Sequence, residues 1–574
     1  MGAIVVDSDL HISHLSLRAS MSVLRVCPAS GPSVRTHVLP SALALSTSPL
    51  LQDQDLALDS LLSLLRQLVL SDAVEFGDLL SSLRGRLSVG DEKGGGGAGA
   101  AHGGSGTKQA IANLAKCVAV ITAATTPAHR EEVVADLLAT LEAGGGGGDG
   151  GGGDAQRTQL ALLTSGDLGR IVDLSAVGED GEAAARLQRI YVSSFDSASD
   201  DVRHAAAYAL GRASVGAMPV FLPAILDALE ENREKKQYLL LSALRELIHC
   251  HQLGGGGGGG SAADISPSIP LILPHLFKHC ADEEEGVRTM VAECLGSLTC
   301  LQPAVILPQL KDLVEKHSGK NAPQATEEEP SEEAKKDALV CWTVATAVKF
   351  AIAGRADPSQ LSPFMPSFLV LLREDDLSVK TAGLLMVYSA VHHSPQLVAG
   401  LMQEHILPSL HELAILNLKR VVDLGPFKHT VDDAIPLRKA ALSIFSTCLE
   451  KCPGCLDIPA FVPILAKALA DVEDVQLQAH QIVISMCVRH PVPIANAAET
   501  FVEPLEKTVN KKKGQKTGTE LERVNEWIKS GLRVMVALSH VEGVMDCRKF
   551  ADFVERTRKM TKFHPMLEAI DDER

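Results

Sequence analysis

Aromatic side chains are scarce in this chain: Phe, Trp and Tyr together make up 3% of its 574 residues. The apolar mass is instead Leu, Ala, Val and Ile, which suits helices packed closely on small residues. Positive charge is also in deficit, with 54 Lys and Arg against 71 Asp and Glu and a formal net charge of −17. That balance argues against a nucleic-acid binder, which needs clustered cations to displace counterions. A basic protein surface is the better match for an acidic chain. No charge-free apolar run reaches the roughly 18 residues of a membrane span. The opening MGAIVVDSDLHISHLSLRAS lacks the basic-then-apolar order of a signal peptide, and Val6 stands where a myristoylation signal needs Ser or Thr.

Catalytic motifs are missing too. There is no Ser nucleophile elbow and no paired-carboxylate motif. The GxGxxG match within Gly94–Gly99 has no strand before it and no acidic partner for a ribose, and GGSGTK lacks the ending of a phosphate loop. Cys452, Cys455, Cys487 and His490 have zinc-like spacing, but Cys487 falls inside a repeat helix and ordinary buried thiols are the expectation. His275 and His279 lack the Glu of a metalloprotease helix. The 12 cysteines are scattered through apolar stretches such as VAECLGSLTC, as in a reduced cytosolic or nuclear protein. No catalytic, cofactor or metal site is assigned, and an enzyme is not expected.

What is present is repetition. Hydrophobic residues make up 46% of a chain too long for one compact core. A proline-centred phrase recurs as PVFLPAILDAL, PLILPHLFKHC, PAVILPQLKDLV, SPFMPSFLVLL, EHILPSLHEL, PAFVPILAKAL and FVEPLEKTV. Its prolines are Pro223, Pro274, Pro308, Pro366, Pro408, Pro463 and Pro504, separated by 51, 34, 58, 42, 55 and 41 residues. These spacings centre on the length of a two-helix HEAT unit. Between them lies a second phrase aligned on Arg203, Arg288, Lys380, Arg438 and, more weakly, Gln478. An apolar residue precedes each (Val202, Val287, Val379, Leu437, Leu477), and Ala209, Cys294, Met386, Ile444 and Ile484 follow six places on. Asp201, Glu285, Asp376, Asp433 and Asp474 suit helix N-termini. The fold class is therefore all-α: a HEAT-repeat α-solenoid of about eleven helix pairs. The chain opens on a second-type helix, so it is expected to be the C-terminal part of a longer protein.

Insertions interrupt the array. Three glycine runs, 94–106, 144–153 and 254–260, are expected as flexible loops, as are the acidic ATEEEPSEEAKKD (325–337) and the basic NKKKGQKTG (510–518). One insertion, NLKRVVDLGPFKHTVDDA (417–434), is of another kind. Its β-prone stretches Leu418–Leu424 and Phe427–Val431 flank a Gly425-Pro426 turn, so a hairpin is predicted. A helical solenoid has no need of a hairpin in its core, so the hairpin reads as a projecting contact device; the alternative is that it folds back over its own repeat. The domains expected are 1–386, solenoid with glycine-rich loops; 387–556, C-terminal repeats including the hairpin; and 557–574, a tail.

At GPFKHTVDD followed by IPLRKAAL, the sequence resembles the cullin-associated, neddylation-dissociated family, also described as TATA-binding-protein-interacting. DDVRHAAAYALGRASVG, QYLLLSALREL, EGVRTMVAECLGSLT and FVEPLEKT carry the likeness along nearly the whole chain, which corresponds to the family's second half. The resemblance implies a regulator that wraps the N-terminal region of an unneddylated cullin with its RING subunit and exchanges substrate receptors by displacing the adaptor. It also implies a cytoplasmic and nuclear location. Carried over, the displacing hairpin is Val421, Val422, Asp423, Leu424, Gly425, Pro426, Phe427, Lys428, His429, Thr430, Val431 and Asp432, with Leu424 and Phe427 as apolar contacts. The other readings are a generic HEAT scaffold or nuclear-transport adaptor, and a transcription role through TATA-binding protein. Neither nucleic acid nor membrane is an expected partner.

Overall fold

The computed structural model describes residues 5–6, 8–52, 56–92, 103–144, 152–178, 181–231, 234–252, 264–319, 331–423, 428–511 and 518–572. The chain divides into two compact units: Met1–His279 with Glu284–Leu301, and Cys280–Glu283 with Gln302–Arg574. Each is a two-layered α-solenoid of HEAT type. Within the first, an inner row of helices (Leu10–Val26, Leu56–Leu70, Gly103–Ala124, Gly152–Ile171, Asp200–Gly216, Glu234–Gln252, Glu285–Leu301) stacks in sequence. The second has the inner row Glu332–Ala353, Leu377–His393, Ile435–Lys451, Glu473–Arg489 and Thr519–Ser539. Proline-phrase helices such as Met218–Glu230 and Ile458–Ala468 form the outer row in each unit. Among the described residues, no helix is long and apolar enough to cross a membrane.

The repeat has a fixed grammar. Asp200–Gly216, Glu285–Leu301, Leu377–His393, Ile435–Lys451 and Glu473–Arg489 are all 17 residues long. Arg203, Arg288, Lys380 and Arg438 each stand fourth in their helix. In the fifth, that place belongs to Gln476, not to Gln478. Val475 and Ile482 are buried on either side of it, while Leu477 and Ile484 are only half-buried. A two-residue slip keeps an apolar residue next to a glutamine, so the sequence alone does not reveal it. In the outer row, Pro223, Pro274, Pro308 and Pro463 each stand sixth in their helix. There they remove a helical donor, and each of these helices also carries proline in its first turn, where no donor is lost.

Close approach explains the small residues. A Cβ added at Gly211 would lie 2.3 Å from the Ala243 carbonyl oxygen, so helix Asp200–Gly216 meets its neighbour backbone to backbone. Arg212, next in sequence, reaches Asp167 at 2.7 Å and Glu246 at 2.9 Å and ties three successive inner helices together. Gly211→Ala is expected to destabilise by about 1–3 kcal/mol through overpacking. Gly85 has open space around its Cβ position inside helix Phe76–Glu92. Gly85→Ala should therefore stabilise by about 0.5–1 kcal/mol through helix propensity alone. Thermal unfolding of both variants checks the opposite signs.

Several insertions are shorter than expected. Gly103 and Gly104 open one helix, Gly144 closes another and Gly152 opens the next, because the Ala/Leu-rich helix bodies propagate into the ends of the runs. The remainder of the three glycine runs lies outside the described residues. The acidic segment is helical from Glu332, capped by Ser331 accepting from the Ala334 N–H at 3.2 Å, with Glu332 and Glu333 at the positive helix end. Asp337, at its end, is buried against His317 Nδ1 at 2.5 Å. Of the basic segment, Lys511 sits 4.6 Å over the Trp527 ring, and residues 512–517 lie outside the described residues.

Candidate protein-docking hairpin

The chain leaves helix Leu407–Leu413 through Ala414–Leu418 and runs into an antiparallel hairpin, Lys419–Asp423 paired with Lys428–Asp432. The register sets Lys419 opposite Asp432, Arg420 opposite Val431 and Val421 opposite Thr430. Directly opposed residues share a face. Lys419, Val421, Thr430 and Asp432 therefore lie on one side of the hairpin, and Arg420 and Val431 on the other. Residues 424–427, and with them Leu424, Gly425, Pro426 and Phe427, lie outside the described residues. Val421 is 64% exposed and Val431 39%, so the described strands present apolar side chains to solvent on both faces.

The hairpin's root is fastened by Asp432 and Arg438. The Asp432 carboxylate accepts from the Leu418 N–H at 3.2 Å and from the Ala434 N–H at 3.1 Å, closing the hairpin and ordering the turn that precedes helix Ile435–Lys451. Arg438, fourth in that helix, donates to the Leu416 carbonyl at 2.7 Å and pairs with Asp432 at 2.8 Å. Its remaining edge faces Asp471, at 2.7 Å, from the loop of the following repeat. The Arg438 and Asp432 side chains are 3% and 6% exposed. Burial opposes ionisation of both. For Asp432, hydrogen bonds from Arg438, Ala434 and Leu418 outweigh it and hold the carboxyl below the usual carboxylate range. For Arg438, the two carboxylates raise an already high guanidinium pKa. Outside this cluster, Arg420 pairs with Asp433 at 2.5 Å on the exposed side.

In another repeat the same fourth position does a simpler job: Arg203 donates to the Ser197 carbonyl at 2.7 Å and contacts Asp200. The hairpin is thus inserted where the repeat already ties a loop to a helix. Sequence reasoning placed Arg438 in the repeat and Asp432 in the hairpin, but not the link between them. The available signal was the run VDDAIPLR, with acids two and three places before the first helical residue.

Below the root, residues of the segments 414–419 and 467–472 line a cavity of about 370 Å³ together with Arg438. Cys452 ends helix Ile435–Lys451 and Cys448 lies one turn before it, buried, its thiol pushed up by burial. Among the described residues no group of three or more His, Cys, Asp or Glu could hold a metal ion.

Residues 397–558 match the family described as TATA-binding protein interacting (TIP20), and residues 272–299 match a HEAT repeat. The chain is 33% identical over 559 residues to cullin-associated NEDD8-dissociated protein 1 of Arabidopsis thaliana, covering 96% of this chain and 42% of that protein. The protein of the same name in Drosophila melanogaster is 31% identical over 587 residues, covering 99% of this chain and 43% of its own length. The chain thus spans less than half the length of these curated relatives. A solved structure of Kap95p with RanGDP is similar in fold alone, at 13% identity and a TM-score of 0.52, covering 92% of this chain and 60% of that one. With relatives matched along almost all of its residues and the TATA-binding protein interacting (TIP20) region at 397–558, the chain belongs to the cullin-associated NEDD8-dissociated protein family.

Proposed function

We propose that this chain is a cullin-binding regulator of cullin–RING ubiquitin ligase assembly. Its C-terminal repeats, residues 387–556, embrace the N-terminal region of an unneddylated cullin, and the hairpin displaces the substrate-receptor adaptor. One observation carries the reading. Within the region matched to the family, a hairpin with Val421 and Val431 exposed stands on a root locked to two repeats. A device fixed in that way loses little conformational freedom when it docks. Relatives more than twice as long extend beyond the stretch that this chain matches, and the binding proposed here is that of the hairpin-bearing repeats alone.

The test replaces Val421–Val431 by a short Gly/Ser linker and leaves Asp432, and with it the lock, in place. The variant should keep its helical content, lose competition with the adaptor for the cullin, and retain cullin binding that is weaker than wild type. Unchanged competition would return the hairpin to a structural role. A wild-type chain that fails to capture the cullin N-terminal region would remove the functional reading itself. The TIP20 description favours one further reading, binding to TATA-binding protein, and the same capture assay run with that protein decides it.

A further inference from the structure

The cavity under the hairpin has a chemistry of its own. Asp471 on its wall is already engaged by Arg438 and accepts from the Val472 N–H at 2.7 Å. Arg438 in turn is shared between Asp432 and Asp471. Lys419 and Lys467, both exposed on the lining, have no carboxylate within ion-pair reach among the described residues. Two carboxylates against Lys419, Lys467 and Arg438 leave this mouth one positive charge in excess, on a chain whose formal net charge is −17. Its edges are aliphatic: Ile415 is 41% exposed and Val472 39%. By register, Lys419 lies on the same hairpin face as Val421, itself 64% exposed.

We propose that this cavity is a second docking point for the protein partner, and that it takes a short acidic–aliphatic segment. An aliphatic side chain fills the space between Ile415 and Val472 while a neighbouring carboxylate sits between the Lys419 and Lys467 ammonium groups. The aliphatic edges favour a peptide over a small inorganic anion, which gains nothing from them. The acidic chain disfavours a nucleic acid. The inference rests on the functional reading only in naming the cullin as the probe. Lys419 and Lys467 supply charge steering and register, and the hairpin supplies displacement; the two contributions are separable.

The experiment measures binding of purified unneddylated cullin N-terminal region to wild type, K419E/K467E, the hairpin-replaced chain, and the combination, across a salt series. K419E/K467E should melt like wild type, because both side chains are exposed. It should bind at least tenfold more weakly at low salt, with a shallower salt dependence. The hairpin-replaced chain should keep a salt-sensitive residual affinity that K419E/K467E removes. Equal affinity and equal salt slope in wild type and K419E/K467E would overturn the proposal. If wild type does not bind the cullin at all, the functional reading falls, and a fluorescent peptide of alternating Glu and Leu decides the cavity's role. Binding of that peptide lost in K419E/K467E supports it, and no binding to wild type overturns it.

Discussion

Arg438→Met should cost about 3–5 kcal/mol, because it leaves two carboxylates facing each other without the guanidinium that neutralises them. Arg438 is 3% exposed and holds Asp432 at 2.8 Å and Asp471 at 2.7 Å. Methionine replaces the volume of the stem but none of the charge, and the Leu416 carbonyl loses its donor as well. Most of the cost comes from the stranded acids rather than from the lost attraction. Replacing the whole group, with Asp432→Asn and Asp471→Asn added, should therefore recover much of the stability. Hydrogen exchange should locate the damage at the N–H groups of Leu418, Asp433 and Ala434, which the lock orders. A single variant as stable as wild type, or a triple variant no better than the single, would show that the cluster is not the fastening described.

A second large effect concerns acid. His480 is fully buried, its Nδ1 lies 3.0 Å from the Ser530 hydroxyl, and its Nε2 has no partner. An imidazolium there would carry an N–H with nothing to receive it. Burial accordingly pushes its pKa down to about 4. In the unfolded chain a histidine titrates near 6.5, so between the two values the unfolded state takes up a proton that the folded state refuses. The contribution is fully present above about pH 6.5 and is lost as pH falls, the loss reaching about 3 kcal/mol by pH 4. His480→Gln removes the titrating group. The gap between wild type and this variant in urea or thermal unfolding should shrink steadily from pH 7 to pH 4.5. A constant gap would mean that His480 takes up its proton in the folded chain as readily as in the unfolded one.

Much of this architecture is legible without coordinates. Periodicity and proline spacing carry the two-layer repeats, and Gly425-Pro426 between β-prone stretches announces the hairpin. Strand limits agree to within a residue or so at the ends the structure describes, Lys419–Asp423 and Lys428–Asp432. What escapes is information held between segments. Gln476 occupies the repeat's fourth place because its side chain accepts from Trp527 Nε1 at 2.8 Å and from Thr508 at 3.2 Å, partners 51 and 32 residues away. Nothing local distinguishes it from Gln478, which serves the preceding helix through Ser443. Asp432 likewise looks like one more polar residue of a projecting loop, yet its side chain turns inward. The acidic run before Ala334 looks like solvated loop until Ser331 is recognised as a cap, after which two glutamates in a first turn are favourable rather than disordering.

Arg438 grips two things that belong to different repeats: Asp432 at the base of the hairpin and Asp471 in the next connection along. That makes the hairpin a lever with its pivot at the joint between two repeats. A solenoid flexes mainly by small changes between neighbours. Through one guanidinium the hairpin stem is registered against two neighbouring repeats at once, so its placement depends on both and not only on the repeat that carries it.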